Sequence, residues 1–419
     1  MFKFGVRTLT RAFAVGSTML STKKTCNDEM NLNNSKINKD HTNASYDSKL
    51  TEHNFIQSRL LGNCGMIAAM ATLASNRDLY NKVVPSGQNL NISSQYNPDN
   101  PSEFAFNLYK LGKLHKVVVD QGLPNDENGL IYSRISNGNL LCPLLEKAMI
   151  QLLFHGNYEA SACIWSHHYL TSFTNNFVEF YVKDPNGVNY TNLQLGDLVE
   201  YGLLTKSQMI VSFSGEVSEY NLINKHAYTL VDMQDNLVKL YDPYGKTLFV
   251  SKNTFFDHLA TFEICYFNNN LFKIPVIKTF LEFTDSWPAL KFYEKVHLIE
   301  YDLIVEEDDT EVLINTIVKP DSKVLTSCCV YTEPYKYSTV EINNCSFRTN
   351  LNSGKHKILV VLTAQNKVES CELCSKYLEN GGSEFRFRLA ASKKCSINKT
   401  VNEKLKYFLT GLMKKLTFF

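Results

Sequence analysis

No stretch of the 419 residues reaches the roughly 18 consecutive apolar positions that a membrane-spanning helix needs, so the sequence predicts no transmembrane segment. An excess of charge is also missing. Lys and Arg number 43 against 42 Asp and Glu, and the formal net charge of +1 argues against broad electrostatic binding to nucleic acid, which is not expected as a partner. No apolar core of a secretory signal is visible. The 11 cysteines form an odd set, and most lie in apolar runs such as the one from Phe262 to Phe267. Reduced thiols in an intracellular compartment are therefore expected. Cys371-x-x-Cys374 lacks a second pair at zinc spacing, and no segment has the spacing of a calcium loop, so neither a metal nor a cofactor is expected. The first 24 residues contain no acid but carry Lys3, Arg7, Arg11, Lys23 and Lys24. They read as a disordered basic tail, which implies a cytoplasmic protein, with a mitochondrial transit peptide as the alternative.

What is present is an ordinary globular composition, 44% hydrophobic and 20% charged, in a chain long enough for two or three domains. Residues 1–50 are poor in large apolar groups over their second half and are expected to be flexible, with order beginning near Phe55. The apolar spacing predicts helices over 62–80, 101–113 and 143–155, so that 51–165 forms a mainly helical lobe. From 166 to 272 the texture turns to short β-rich runs at Met209–Phe213, Ala227–Val231, Leu237–Tyr241 and Phe262–Phe267, with a short helix at Phe255–Leu259. Regular strands between 275 and 395 predict a β-sandwich, and 396–419 reads as a basic amphipathic helix.

Three residues suggest chemistry. Cys64 stands at the start of the predicted 62–80 helix, where the partial positive charge of a helix N-terminus favours a thiolate. Its own backbone N–H, with Gln57 upstream, offers a pair of oxyanion donors. His226 and Asp242 flank a turn signal at Asp235-Asn236, and a hairpin centred at position 234 would set them directly opposite each other. Asp242 would then orient the imidazole of His226. On the residues alone, a buried structural thiol, a surface histidine and a turn-forming aspartate remain equally open readings.

The segment Gln57-Ser58-Arg59-Leu60-Leu61-Gly62-Asn63-Cys64 resembles the calpain nucleophile motif, Gln-Gly-x-Leu-Gly-Asp-Cys-Trp. Val117-Val118-Val119-Asp120 with Leu123-Pro124, Leu144-Leu145-Glu146-Lys147-Ala148, Tyr158-Glu159-Ala160, Lys225-His226-Ala227-Tyr228, Asp242-Pro243-Tyr244-Gly245 and Phe262-Glu263-Ile264-Cys265 are similar to further calpain motifs in the same order. The resemblance spans 55–267. It implies an α+β fold with a papain-like core of a helical lobe and a β lobe, followed by a calpain-type β-sandwich, and it has no counterpart for the calcium-binding helical domain. It implies a cysteine endopeptidase acting on protein or peptide substrates, with Cys64, His226 and Asp242 catalytic and Gln57 at the oxyanion. The alternative is an inactive calpain-like scaffold that binds a protein partner, and a regulatory protein partner fits either reading.

Several positions depart from the family pattern. Gln57 lies one residue further from the cysteine, Gly65 and Tyr244 replace tryptophans, Lys225 replaces a glycine and Asp242 replaces an asparagine. The two acids of the first core calcium site correspond to Asn54 and Asn139. The loop of the second is too short, with about ten residues between Gly245 and Phe255. Calcium activation is therefore not expected. The acidic run Glu306-Glu307-Asp308-Asp309, with Glu311, reads either as a calcium or basic-surface site or as a solvated hairpin tip.

Overall fold

The computed structural model describes residues 51–58, 60–88, 90, 103–126, 129–134, 139–182, 192–215, 217–271, 274, 276–287, 296–318, 324–332, 336–339, 346–364 and 383–400. These fall into two compact units, one within Asn31–Phe272 and the other within Lys273–Val318 and Ser322–Phe419.

The first unit is built around α1 (Cys64–Ala71), in which every residue from Gly65 to Ala71 is buried. A helix that is apolar on all sides has no solvent face and must sit inside a core. The expected 62–80 helix is in fact broken. After Ala71 the chain tightens into a 3-10 turn, Thr72–Ser75, where the Thr72 hydroxyl donates back to the Ala69 carbonyl at 2.6 Å. The Asn76 side chain then accepts from the Leu79 N–H and starts α2 (Arg77–Val83), so hydroxyl and amide side chains competing for the backbone divide the helix.

The expected helix at 101–113 is instead a hairpin of β1 (Glu103–Lys110) and β2 (Lys113–Asp120). Phe104, Phe106 and Leu108 are buried in strict alternation, the period of a strand. Leu111 and Gly112 turn the hairpin with φ of 46° and 83°, a geometry usually signalled by Asn-Gly and here hidden by a leucine. The stretch 51–165, expected to be mainly helical, thus carries a β-hairpin as well. α3 (Leu141–Phe154) and α4 (Ser166–Thr174) complete the layer around α1. Two of the sequence motifs meet where Lys147 pairs with Asp120 at 2.8 Å.

A six-stranded antiparallel sheet follows, made by β3 (Val178–Val182), β4 (Gln208–Phe213), β5 (Ala227–Gln234), β6 (Leu237–Asp242), β7 (Lys246–Ser251) and β8 (Leu259–Cys265) in the order β3-β8-β4-β5-β6-β7. Helix α5 (Asn192–Leu204) precedes β4, and α6 (Lys252–His258) joins β7 to β8. Buried bonds tie the sheet to α1 and its approach. Thr229 donates to the Ala68 carbonyl at 2.8 Å, Tyr241 to the Phe55 carbonyl at 2.8 Å, and Gln208 to the Thr72 hydroxyl.

The second unit contains a four-stranded and a five-stranded antiparallel sheet. β9 (Thr279–Trp287), β10 (Val296–Val305), β11 (Thr310–Val318), β12 (Val324–Thr332), β13 (Lys336–Thr339), β14 (Ser346–Leu351), β15 (Gly354–Ala364), β16 (Ser383–Ala391) and β17 (Cys395–Thr400) pair as β9-β16-β11-β14 and β13-β12-β15-β10-β17. Tyr301 and Leu303 of one sheet share a buried cluster with Ile314, Phe385 and Phe387 of the other. The expected tail helix is overturned at its start, because Cys395–Thr400 is a strand paired with β10. The remainder of that helix and the Cys371-x-x-Cys374 pair lie outside the described residues. The acidic run is a hairpin tip with named partners: Glu306 pairs with Lys394, Asp308 accepts from Ser353 and Glu311 pairs with Arg348.

Gly65 makes a decisive test of this packing. A Cβ there would stand 2.8 Å from the Ile164 carbonyl oxygen and 3.0 Å from the Ser166 hydroxyl, whereas one at Gly62 would meet only Cys163 Sγ at 3.9 Å. Gly to Ala inside a helix ordinarily gains about 1 kcal/mol. Gly65→Ala is instead expected to lose about 1–3 kcal/mol by overpacking, seen as a lower urea midpoint, with Gly62→Ala near wild type.

Candidate active site

Cys64 is the first residue of α1, and its backbone N–H makes no hydrogen bond among the described residues, since the first intrahelical bond is given by Met66 to the Asn63 carbonyl at 2.9 Å. The residue before it is fixed from behind. Asn63 donates to Glu146 Oε1 at 2.6 Å, and the Ser133 backbone N–H and hydroxyl donate to Glu146 Oε2 at 3.0 and 2.7 Å. Glu146 is fully buried. Burial pushes its carboxyl upward, against the pull of the Ser133 and Asn63 bonds. Sequence reasoning noticed Glu146 only as part of a motif. Its signal was an acid on the apolar face of a predicted helix, which demands partners.

His226 and Asp242 come together across the β5–β6 hairpin, but not in the expected register. Thr229 faces Tyr241 and Leu230 faces Leu240, so the pairing runs two residues away from a 226-to-242 alignment, with an irregularity between Leu230 and Asp232. On the His226 side of that irregularity the slip is two, which keeps each side chain there on its expected face. The two groups still meet, with His226 Nε2 2.9 Å from Asp242 Oδ1, both buried. The same carboxylate oxygen accepts the Tyr244 N–H at 2.9 Å, which locks the Asp242-Pro243-Tyr244-Gly245 turn. The Tyr244 ring lies parallel to the imidazole, with centroids 5.0 Å apart at an angle of 6°, and Tyr228 packs edge-on against it.

The His226 imidazole and the Cys64 thiol act on each other as polar neighbours, each shifting the other's titration. With Nε2 held by Asp242, Nδ1 is the nitrogen left for sulfur. Burial raises the Cys64 thiol, but the bond to His226, its charge, and the Ala227 and Gly65 backbone N–H groups outweigh burial and leave the thiol below its ordinary value. For His226, burial acts downward. Asp242 and Cys64 overcome it and raise the imidazole to about 9. A thiol pulled down beside an imidazole pushed up is the electrostatic signature of a thiolate–imidazolium pair.

Gln57 is brought near this loop but is already engaged. Its Nε2 donates to the Leu61 carbonyl at 2.7 Å, within a buried turn, and its backbone N–H donates to the Pro243 carbonyl at 2.8 Å. Asn54 Oδ1 accepts the Thr51 N–H at 2.8 Å, and Asn139 Oδ1 accepts the Leu141 N–H at 2.7 Å, so both side-chain oxygens serve local backbone. The short connection after Gly245 is filled by β7 and α6. Among the described residues no cluster of His, Cys, Asp and Glu has the arrangement of a metal site, and no helix is long and apolar enough to cross a membrane.

Comparison with known proteins gives the same direction. Mouse (Mus musculus) calpain-8 is 29% identical over 199 residues, 44% of this chain and 27% of calpain-8. The rat (Rattus norvegicus) calpain-1 catalytic subunit is 28% identical over 200 residues, 44% of this chain and 26% of that protein. Mouse calpain-5 is 34% identical over 116 residues, 26% of this chain and 17% of that protein. The aligned region thus spans about a quarter or less of these relatives. The structure of PliG from Aeromonas hydrophila, a periplasmic inhibitor of g-type lysozyme, covers 27% of this chain and 85% of its own at 9% identity, and its TM-score of 0.17 carries no argument about the fold. A family model for calpain family cysteine proteases matches residues 13–256, more than half of the chain. On that match the chain belongs to the calpain family of cysteine proteases.

Proposed function

We propose that this chain is a calpain-like cysteine endopeptidase, cytoplasmic and not activated by calcium, in which Cys64 is the nucleophile, His226 the acid–base group and Asp242 its orienter. The reading divides it into a helical lobe at 51–165, a β lobe at 166–272 in the papain manner, and a calpain-type β-sandwich at 275–395. The observation that supports it most is the line from the buried Asp242 and His226 to the half-buried Cys64, with the thiol lowered and the imidazole raised.

The chemistry follows from those groups. The Cys64 thiolate attacks the peptide carbonyl, and the oxyanion that forms is met by the unused Cys64 N–H at the head of α1. His226 passes its Nδ1 proton to the leaving amine as the C–N bond breaks, which leaves a thioester on Cys64. Water then gives a proton to the neutral imidazole and attacks the thioester. Collapse of that second intermediate releases the acid and restores the ion pair. Asp242, fixed by the Tyr244 N–H, holds the ring in plane throughout. Gln57 can serve as second oxyanion donor only by releasing the Leu61 carbonyl. That engagement favours one other reading, an inactive scaffold that grips a protein partner through the surface around Cys64 and His226.

Three outcomes test the proposal. Alkylation of Cys64 followed against pH should show a thiol titrating below the roughly 8.5 of free cysteine, rising toward it in His226→Ala. A thiol indifferent to His226 would sink the protease reading.

The basic limb of peptide hydrolysis should fall where His226 loses its proton, near pH 9. Asp242→Asn removes the charge that holds that proton, so the limb should move about one unit or more toward lower pH, while the acidic limb set by Cys64 stays closer to its place. An unmoved basic limb would count against Asp242 as the orienter.

Calcium binding draws its affinity from carboxylates, and the two positions implied for the first core site are amides committed to backbone. Hydrolysis by the full chain should therefore be equal in chelator and in millimolar calcium. A large gain with calcium would contradict the assignment.

A further inference from the structure

The residue immediately before the proposed base is unusual. Lys225 has φ of 57°, the left-handed region that disfavours a residue with a side chain, and it stands where the calpain pattern has glycine. Its backbone N–H donates to the Phe213 carbonyl at 3.2 Å, so the conformation is held in place by β4. A glycine would adopt it without strain. The strain has been accepted for a side chain that is exposed and, among the described residues, makes no hydrogen bond or ion pair. Strained residues of this kind concentrate where function constrains the backbone.

A second exposed lysine is placed by the sheet opposite Asp242. Lys246 pairs in register with Asp242 across the β6–β7 turn, which places both on one face of the sheet. Lys246 is exposed and likewise without a partner among the described residues, while Asp242 spends its Oδ1 on His226 and the Tyr244 N–H. The only charged group of the described residues in the loop that leads to Lys225, apart from the lysine itself, is Glu219, which is exposed and makes no ion pair with it. Two exposed lysines are thus tied to the His226–Asp242 pair, one next to His226 in the chain and one opposite Asp242 in register.

We propose that Lys225 and Lys246 form an acid-selecting subsite on the His226 wall of the groove, favouring substrates with a carboxylate side chain on the leaving-group side of the scissile bond. The placement follows from the chemistry, because the imidazolium hands its proton to the leaving amine and so stands beside the first residue after the cut. Consecutive Cα atoms are about 3.8 Å apart and a lysine side chain is long and flexible, so Lys225 reaches that position from the neighbouring residue. A neutral substrate would leave both ammonium groups to solvent. An acidic one would gain two partly exposed pairs, an advantage of about three- to tenfold in kcat/KM that weakens with salt.

The inference rests on the endopeptidase reading for its position in the groove, and the test separates the two. Peptides carrying Glu or Gln at each position are digested with the full-length protein and the cuts mapped by mass spectrometry. The ratio of kcat/KM for a matched Glu and Gln pair after the cut is then measured at low and high salt. Taking a ratio cancels any general loss of activity. A ratio of about three to ten, falling toward one at high salt and in Lys225→Gln/Lys246→Gln, supports the subsite. Lys225→Gly, which also relieves the backbone strain, should lower the ratio while raising the unfolding temperature. Equal cleavage of the pair, or a preference untouched by removing both lysines, overturns it. If no peptide is cleaved, fluorescence anisotropy of the same pair on Cys64→Ala decides. Tighter binding of the Glu peptide that disappears in the double lysine variant upholds the subsite while the protease reading falls, and equal binding overturns the subsite as well.

Discussion

The relation between Cys64 and His226 depends on the strap that residues 55–57 make across the sheet. Tyr241 donates to the Phe55 carbonyl, Gln57 donates through its backbone to the Pro243 carbonyl, and Ile56 packs over Gly245, whose φ of 93° lets the turn close beneath it. These contacts fix the Asp242 turn against the segment that leads into α1. Thr229 adds a bond to the far end of the helix at Ala68. Such buried bonds are individually modest, about 1 kcal/mol each, but leaving any of their groups unpaired costs more, so the arrangement resists small displacements. The Cys64–His226 contact is a consequence of this bracing, because neither residue belongs to an element that could position the other by itself.

The same bracing bears on the proposed calcium independence. Where Asn54 and Asn139 turn their oxygens to backbone N–H groups, the ends of the approach segment and of α3 are closed by the protein's own donors. The carboxyl of Glu146 is likewise committed inward, to Asn63 and Ser133. A buried acid with two neutral partners holds the Asn63–Cys64 corner without requiring an ion nearby.

Much of this was legible before any coordinates, and the misses have physical causes. Strands β5, β6 and β10 announce themselves by alternation and turn residues, and α3 by its periodic leucines. The β1–β2 hairpin was hidden because Leu111 occupies a left-handed turn position that sequence rules reserve for Asn or Gly. The break after Ala71 was hidden because Thr72 and Asn76 end and restart a helix through side-chain bonds that leave apolar periodicity intact. At the site, Cys64, His226 and Asp242 could be named from their motif contexts. The register that joins the last two could not, since an irregularity between Leu230 and Asp232 shifts the pairing by one residue part-way along the hairpin. The engagement of Gln57 with Leu61 depends on the one extra residue in the loop and is a matter of three-dimensional closure.

The bonds that brace the core join residues far apart in the chain: Phe55 to Tyr241 across 186 positions, Ala68 to Thr229 across 161 and Asn63 to Glu146 across 83. Contacts of such separation form late, because long loops must close before they reward the chain. During synthesis, Cys64 leaves the ribosome more than 150 residues ahead of the imidazole at His226. Until β5 and β6 have been made and paired, its sulfur is an ordinary thiol inside a half-formed helical layer. The order in which the chain is made thus keeps the Cys64 thiol apart from the His226 imidazole until the unit that contains both is finished.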